Sequence, residues 1–187
     1  LDLNESVRFN KKVKLLKVGH PSEMDTNIGA LVSKSHLEKV EAYIKIAEEE
    51  GGKILCGGLE VTVSGFENGY YLQPTVIEVQ DNSCRINQEE VFGPVVTIMS
   101  FQSDTEALQL ANDVTYGLSA TLWTSDLNRT MQFSKQLQTG IVWVNTWMLR
   151  DLRTPFGGVK ASGVGREGGF EALRFFTEAK NVCIQYE

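Results

Sequence analysis

The chain has 187 residues, 42% hydrophobic and 22% charged, with a formal net charge of −6. That length is enough for one domain with a real core, and the composition is ordinary for a globular protein. The negative balance argues against nucleic acid as the main partner, and no apolar run approaches the roughly 18 residues of a membrane span.

Residues 1–18 mix Lys11, Lys12, Lys14 and Lys17 with Val13, Leu15, Leu16 and Val18, and read as the tail of a helix that begins upstream. Gly19-His20-Pro21 stops it. The first residue is Leu and no signal-peptide pattern follows, so the chain reads as a fragment or a processed product. Residues 33–50 give the clearest helix: Ser35 and Glu38 suit a capping box, and Leu37, Val40, Ile44 and Ala47 share one face. Gly51-Gly52 ends it.

A short strand is expected over 53–56 and a second over 70–79, where Pro74 suggests an edge or a bend. Val95 to Phe101 is almost continuously apolar, as in a strand buried on both faces. Ser103 with Glu106 opens a helix that runs to about Asp113, and Leu118 to Trp123 is the next strand. Ser125 or Asp126 caps a third helix with Leu127, Met131 and Leu137 inward, and Ile141 to Val144 is another buried strand. Residues 95–145 thus alternate strand, helix, strand, helix, strand. That order predicts an α/β fold with a doubly wound, mostly parallel sheet, whose ligands sit beyond the carboxyl ends of the strands.

Asn145 to Gly169 follows such an end, with six glycines and the cations Arg150, Arg153, Lys160 and Arg166. Trp147, Leu149, Leu152 and Phe156 give it apolar anchors, so it reads as an ordered loop that carries charge and bare backbone to a ligand. Residues 168–179 form a final helix with Phe170, Leu173 and Phe176 or Thr177 inward. Residues 180–187 form a last strand whose unpaired edge can join the sheet of a second copy. The division is therefore 1–179 as one domain and 180–187 as an oligomerisation strand.

Three cysteines, Cys56, Cys84 and Cys183, stand at wide spacings without CxxC, beside only two histidines, His20 and His36. This is no zinc pattern, and it reads as three free thiols in a reducing, cytoplasmic compartment. Gly163 to Gly168 fits GxGxxG, but no strand directly precedes it and no acidic residue lies about twenty positions on, so it is not a dinucleotide fingerprint. Glu89 and Glu90 before Phe92-Gly93-Pro94 suit either a solvated acidic pair or a carboxylate that bonds a sugar hydroxyl beside an aromatic face. Arg150 and Arg153 suit either surface ion pairs or recognition of a substrate carboxylate by the guanidinium fork.

Four blocks, EEVFGPVV (Glu89–Val96), YGLSATLWT (Tyr116–Thr124), GIVWVN (Gly140–Asn145) and PFGGVKASGVGREGG (Pro155–Gly169), resemble the C-terminal portion of aldehyde dehydrogenases in content, order and spacing. The resemblance runs from about Lys11 to the end, and NTWMLRDLRTPFGG most resembles the 2-hydroxymuconic and 2-aminomuconic semialdehyde branch. It implies NAD-dependent, or NADP-dependent, oxidation of an aldehyde to an acid. In the family a cysteine thiolate attacks the aldehyde, hydride passes to the cofactor, and a glutamate-activated water releases the acid.

By motif, Glu90 would bond the nicotinamide ribose and Phe92 would pack against it. Arg150, with Arg153 second, would bind the substrate carboxylate; Phe156 would line the aldehyde pocket, and the last strand would pair with a second subunit. The family's nucleophilic cysteine and general-base glutamate lie in upstream motifs that this sequence does not contain. The chain is therefore expected to hold no catalytic residue, no metal ligand, and no activity alone. A non-catalytic dehydrogenase-like assembly module is the alternative, and a nucleotide-binding protein without chemistry a third.

Overall fold

The computed structural model describes residues 3–186. Leu1, Asp2 and Glu187, which end the segments 1–18 and 180–187, lie outside the described residues. The chain forms two compact units, one through Ser103 and one from Asp104 onward.

The first unit opens with α1 (Leu3–Val13) and continues into α2 (Lys34–Glu49). The cap of α2 is Ser33 rather than Ser35: Ser33 has an extended backbone, and its hydroxyl accepts the His36 N–H at 3.2 Å. Ser35 already lies inside the helix, where it cannot serve as a cap. Leu37, Val40, Ile44 and Ala47 are buried on one face, as their spacing requires. Each of the three larger side chains contributes about 1.5–3 kcal/mol by leaving water.

The remaining elements of this unit are β1 (Lys53–Cys56), β2 (Glu60–Val61), β3 (Tyr71–Leu72), β4 (Thr75–Glu78), α3 (Arg85–Gln88) and β5 (Val95–Ile98). Pro74 splits the expected second strand in two. Its upstream half, β3, pairs with β2; its downstream half, β4, is the centre of a sheet ordered β1-β4-β5. Pro74 therefore marks a bend between two sheets and not an edge. β4 runs antiparallel to β1 and parallel to β5. Its buried Ile77 meets the α2 face together with Leu72, Val79, Cys84 and Ile86, while Val76 packs in a second cluster with Val13 and Cys56.

The second unit contains α4 (Asp104–Asn112), β6 (Tyr116–Gly117), β7 (Ser119–Leu122), α5 (Leu127–Gln136), β8 (Ile141–Val144), β9 (Val159–Lys160) and α6 (Gly169–Phe176). β7 and β8 pair in parallel, and β6 pairs antiparallel with β9. Asp126 caps α5 by accepting the Asn128 and Arg129 N–H groups at 2.8 and 3.1 Å.

Several expectations need correction. The strand and helix alternation of residues 95–145 is present, but β5 pairs with β4 in the first unit while β7 and β8 form their own ladder in the second. Among the described residues these are separate small ladders, within a mixed α/β fold. β5 is not buried on both faces, since Val96 is exposed. On α5 the buried residue is Phe133, while Leu127 and Met131 face solvent. Residues 177–186 have no regular secondary structure, so the last strand is not formed here. A strand needs a ladder partner for its N–H and C=O groups, and none is recorded for this segment among the described residues. α6 has no buried residue: Phe170, Leu173 and Phe176, expected inward, are 77%, 57% and 77% exposed.

Candidate functional site

The candidate cofactor residues lie in the first unit, on the loop from Glu89 to Pro94 that joins α3 to β5. The two glutamates divide sharply. Glu89 takes a forked pair of bonds from Arg85, Nε to Oε1 at 2.7 Å and Nη2 to Oε2 at 3.0 Å, and a third from the Tyr43 hydroxyl at 2.5 Å. Arg85 first, and Tyr43 second, hold the Glu89 carboxyl down to about 2. The same bond pushes the Tyr43 phenol up. Glu90 is exposed. Its backbone is held instead: Lys39 Nζ donates to the Glu90 carbonyl at 3.0 Å.

Phe92 is a non-glycine residue at φ 59°, in the left-handed region where an L side chain is strained. His36 Nε2 donates to its carbonyl at 2.6 Å, and the His36 ring meets the Phe92 ring edge-on at 6.2 Å. The Phe92 ring itself is 75% exposed. Gly93 allows the close seat on α2, because a Cβ there would meet Val40 Cγ2 at 2.7 Å.

The candidate substrate residues lie in the second unit. The Arg150 guanidinium stacks over Phe156, 3.9 Å from the ring centroid, and Nη2 bonds Glu167 Oε2 at 3.1 Å. Phe156 and Glu167 exchange backbone bonds at 2.8 and 2.6 Å, which fixes the ring beside the carboxylate. Arg153 is not part of this cluster; it faces solvent, tied to Asp151 by bonds from its Nε at 2.9 and 3.1 Å. The other two cations of the loop are structural. Arg166 Nη1 donates to the carbonyls of Gly158 and Gly165, both at 2.7 Å, and Lys160 Nζ to those of Asn112 and Val114, at 2.8 and 3.0 Å.

The loop leaves β8 through Asn145, at φ 53°, whose side chain bridges to Thr124 by accepting its N–H and donating to its carbonyl. The Trp143 indole N–H donates to the Leu149 carbonyl at 2.9 Å. At the other end of β8, Gly140 is obligatory, since a Cβ would meet the Gly157 carbonyl oxygen at 1.8 Å. A cleft of about 230 Å³ opens beside Phe156, lined also by Gly158, Ser162, Arg166 and Phe175.

The three cysteines sit in different settings. Burial pushes the Cys84 thiol up, the opposite of activation. Cys56 is buried and donates to Asn10 Oδ1 at 3.6 Å, at the wall of a cleft of about 490 Å³ shared with Val13, Leu16 and Pro74. Cys183 lies exposed in the segment after α6. Among the described residues no three His, Cys, Asp or Glu side chains converge as metal ligands, and no helix is long and apolar enough to cross a membrane.

Sequence reading singled out Glu90, Phe92, Arg150, Arg153 and Phe156 but missed His36, Lys39 and Glu167, which bond Phe92, Glu90 and Arg150, and Tyr43 and Arg85, which hold the adjacent Glu89. The spacing 36, 39, 43 was a visible signal, because it puts three polar side chains on one helix face. What that face would grip was not.

Comparison with known proteins agrees with the sequence blocks. The chain is 47% identical over 183 residues to the 2-aminomuconic semialdehyde dehydrogenase of Bos taurus, covering 96% of this chain and 37% of that protein. It is 42% identical over 179 residues to the 2-hydroxymuconic semialdehyde dehydrogenase of Pseudomonas sp. (strain CF600), covering 95% of this chain and 37% of that protein. The crystal structure of betaine aldehyde dehydrogenase from Staphylococcus aureus in complex with NAD+ superposes with a TM-score of 0.89 at 38% identity, over 94% of this chain and 35% of that one. The chain thus spans a little over a third of the length of the relatives it matches. The family model for the aldehyde dehydrogenase family matches residues 6–182, and the chain belongs to that family.

Proposed function

We propose that this chain supplies part of the site of an NAD-dependent aldehyde dehydrogenase, with NADP as the alternative cofactor, that oxidises a carboxylate-bearing aldehyde of the muconic semialdehyde kind to the acid. The observation that carries this reading is the division of the glutamate pair. Glu89 is consumed by Arg85 and Tyr43, which leaves Glu90 as an exposed carboxylate two residues from an exposed aromatic ring. A ribose diol needs an acceptor of that kind, and a nicotinamide end needs a flat apolar neighbour, so the residues fit the group. When bound, NAD accepts the hydride that leaves the substrate.

In this reading Glu90 accepts from the ribose hydroxyls and Phe92 packs against the ribose and nicotinamide end. Arg150 binds the substrate carboxylate, which takes the place of Glu167 on the guanidinium fork. Arg153 serves second, on release from Asp151, and Phe156 lines the aldehyde pocket. The nucleophile and the base come from polypeptide outside these residues. The buried settings of Cys56 and Cys84 and the third of relative length spanned here support that. In the longer polypeptide the separate ladders join one doubly wound sheet, and residues 180–187 pair with a second copy. Exposed Val182, Ile184 and Tyr186 support the pairing. Three free thiols suit a cytoplasmic setting.

Incubation with NAD and a muconic semialdehyde tests the proposal. The 187 residues alone should give no NADH above blank, and the polypeptide of full relative length should give it readily. Turnover by the short chain would refute the division of labour. No turnover by the long one would favour the second reading, an assembly module, which the exposed apolar surface of α6 also supports.

A further inference from the structure

We infer that His36 is a positioning residue for the cofactor contact, acting through the backbone of Phe92; this rests on the reading of Glu90 and Phe92 given above. Three side chains of α2 grip three residues of the loop in reverse order along the helix. Tyr43 holds the Glu89 carboxylate, Lys39 the Glu90 carbonyl, and His36 the Phe92 carbonyl. Each grip spans about fifty residues of sequence, so the loop takes its shape from the helix and not from its own propensity.

The strained point is Phe92. Its left-handed backbone would relax if its carbonyl were free to turn, and the rotation would swing the ring and the neighbouring Glu90 carboxylate away from a common ligand. The His36 bond is the polar contact recorded on that carbonyl. A carbonyl only accepts, so Nε2 carries the proton and donates. The same imidazole meets the edge of the Phe92 ring, so one side chain restrains both the backbone and the aromatic face. Tyr43 and Lys39 fix the stretch just before it, which leaves His36 to set the last turn.

A bond that orders the free protein in its ligand-ready shape lowers the cost of binding. Its loss should therefore weaken cofactor binding more than it slows turnover at saturation. In the enzyme of full relative length, His36→Leu should raise the KM for NAD about tenfold with kcat within about twofold. His36→Gln, whose amide can donate at similar reach, should stay within about threefold of the parent KM. If His36→Leu does not fold, His36→Asn, too short to reach the carbonyl, takes its place with the same expectation. Phe92→Ala and Glu90→Gln are measured alongside. If these two raise the KM and the His36 variants do not, or if His36→Gln fails as badly as His36→Leu, the positioning role is wrong. If neither Phe92→Ala nor Glu90→Gln raises it, the cofactor assignment itself is wrong and the positioning role falls with it.

Discussion

The two candidate loops are held in opposite ways. Glu89, Glu90 and Phe92 are gripped by a helix far away in sequence, whose other face is buried in the main core. Arg150, Arg153 and Phe156 are held by partners inside their own loop, Glu167 and Asp151, both exposed or half-exposed. The first arrangement ties the loop to a helix that is itself seated on the core. The second can exchange a partner at little cost, since exposed ion pairs are worth about 0–1 kcal/mol. A cofactor contact benefits from the first and a substrate-exchange contact from the second.

The sharpest way to break this contrast is Arg150→Ala in the polypeptide of full relative length. Removing one partner of a desolvated charge pair costs about 2–5 kcal/mol. The kcat/KM for a carboxylate-bearing aldehyde should therefore fall at least about thirtyfold, while that for a neutral aldehyde of similar size should change little. Equal losses on both would show that Arg150 shapes the pocket through Phe156 and does not read charge.

Next in size is the difference between the two units' apolar surfaces. Leu72→Ala, at a position 1% exposed, should cost about 2–5 kcal/mol in denaturant unfolding. Leu173→Ala on α6 should lie within about 0.5 kcal/mol of the parent when these 187 residues are unfolded as a monomer. A large cost at Leu173 would mean that α6 finds a buried seat in solution, as an assembling surface would.

The smallest effect is a pH dependence. The Glu89 carboxyl sits at about 2 in the folded chain against an ordinary value of 4.5. Its contribution to stability is thus fully present above 4.5 and is lost as the pH falls from there towards 2. Glu89→Gln should flatten the acid limb of the stability curve within that window. An unchanged limb would mean that the Arg85 and Tyr43 bonds do not persist in solution.

Much of the first unit was legible in the sequence. The Leu37, Val40, Ile44 and Ala47 stripe, the break at Pro74 and the glycine stops reflect local rules that the tertiary structure respects. The second unit was legible in its elements but not in its burial. Leu127, Met131, Phe170, Leu173 and Phe176 carry the apolar spacing of buried faces and are exposed. Periodicity reports that a face is fit for burial and says nothing of which molecule covers it. Of the candidate site, the sequence offers the residues that a motif names, as with Glu90 and Phe92, which the structure leaves exposed. The site was illegible where the partner is remote, as with His36, or where an acidic residue sits in a glycine-rich run, as with Glu167. Ser33 and Ser35 were indistinguishable as caps by composition alone, and only the backbone at Ser33 decided between them.

The indole of Trp143 gives the second loop a built-in optical reporter. It is one of three tryptophans in the chain, and Trp123 and Trp147 are mostly exposed while Trp143 is 8% exposed. Because its N–H is tied to the Leu149 carbonyl, one residue before Arg150, the blue-shifted emission expected of a buried indole should be coupled to the backbone that carries the guanidinium. Loop opening should redden the fluorescence without any label, so the response of these 187 residues to an added carboxylate can be followed in the ultraviolet.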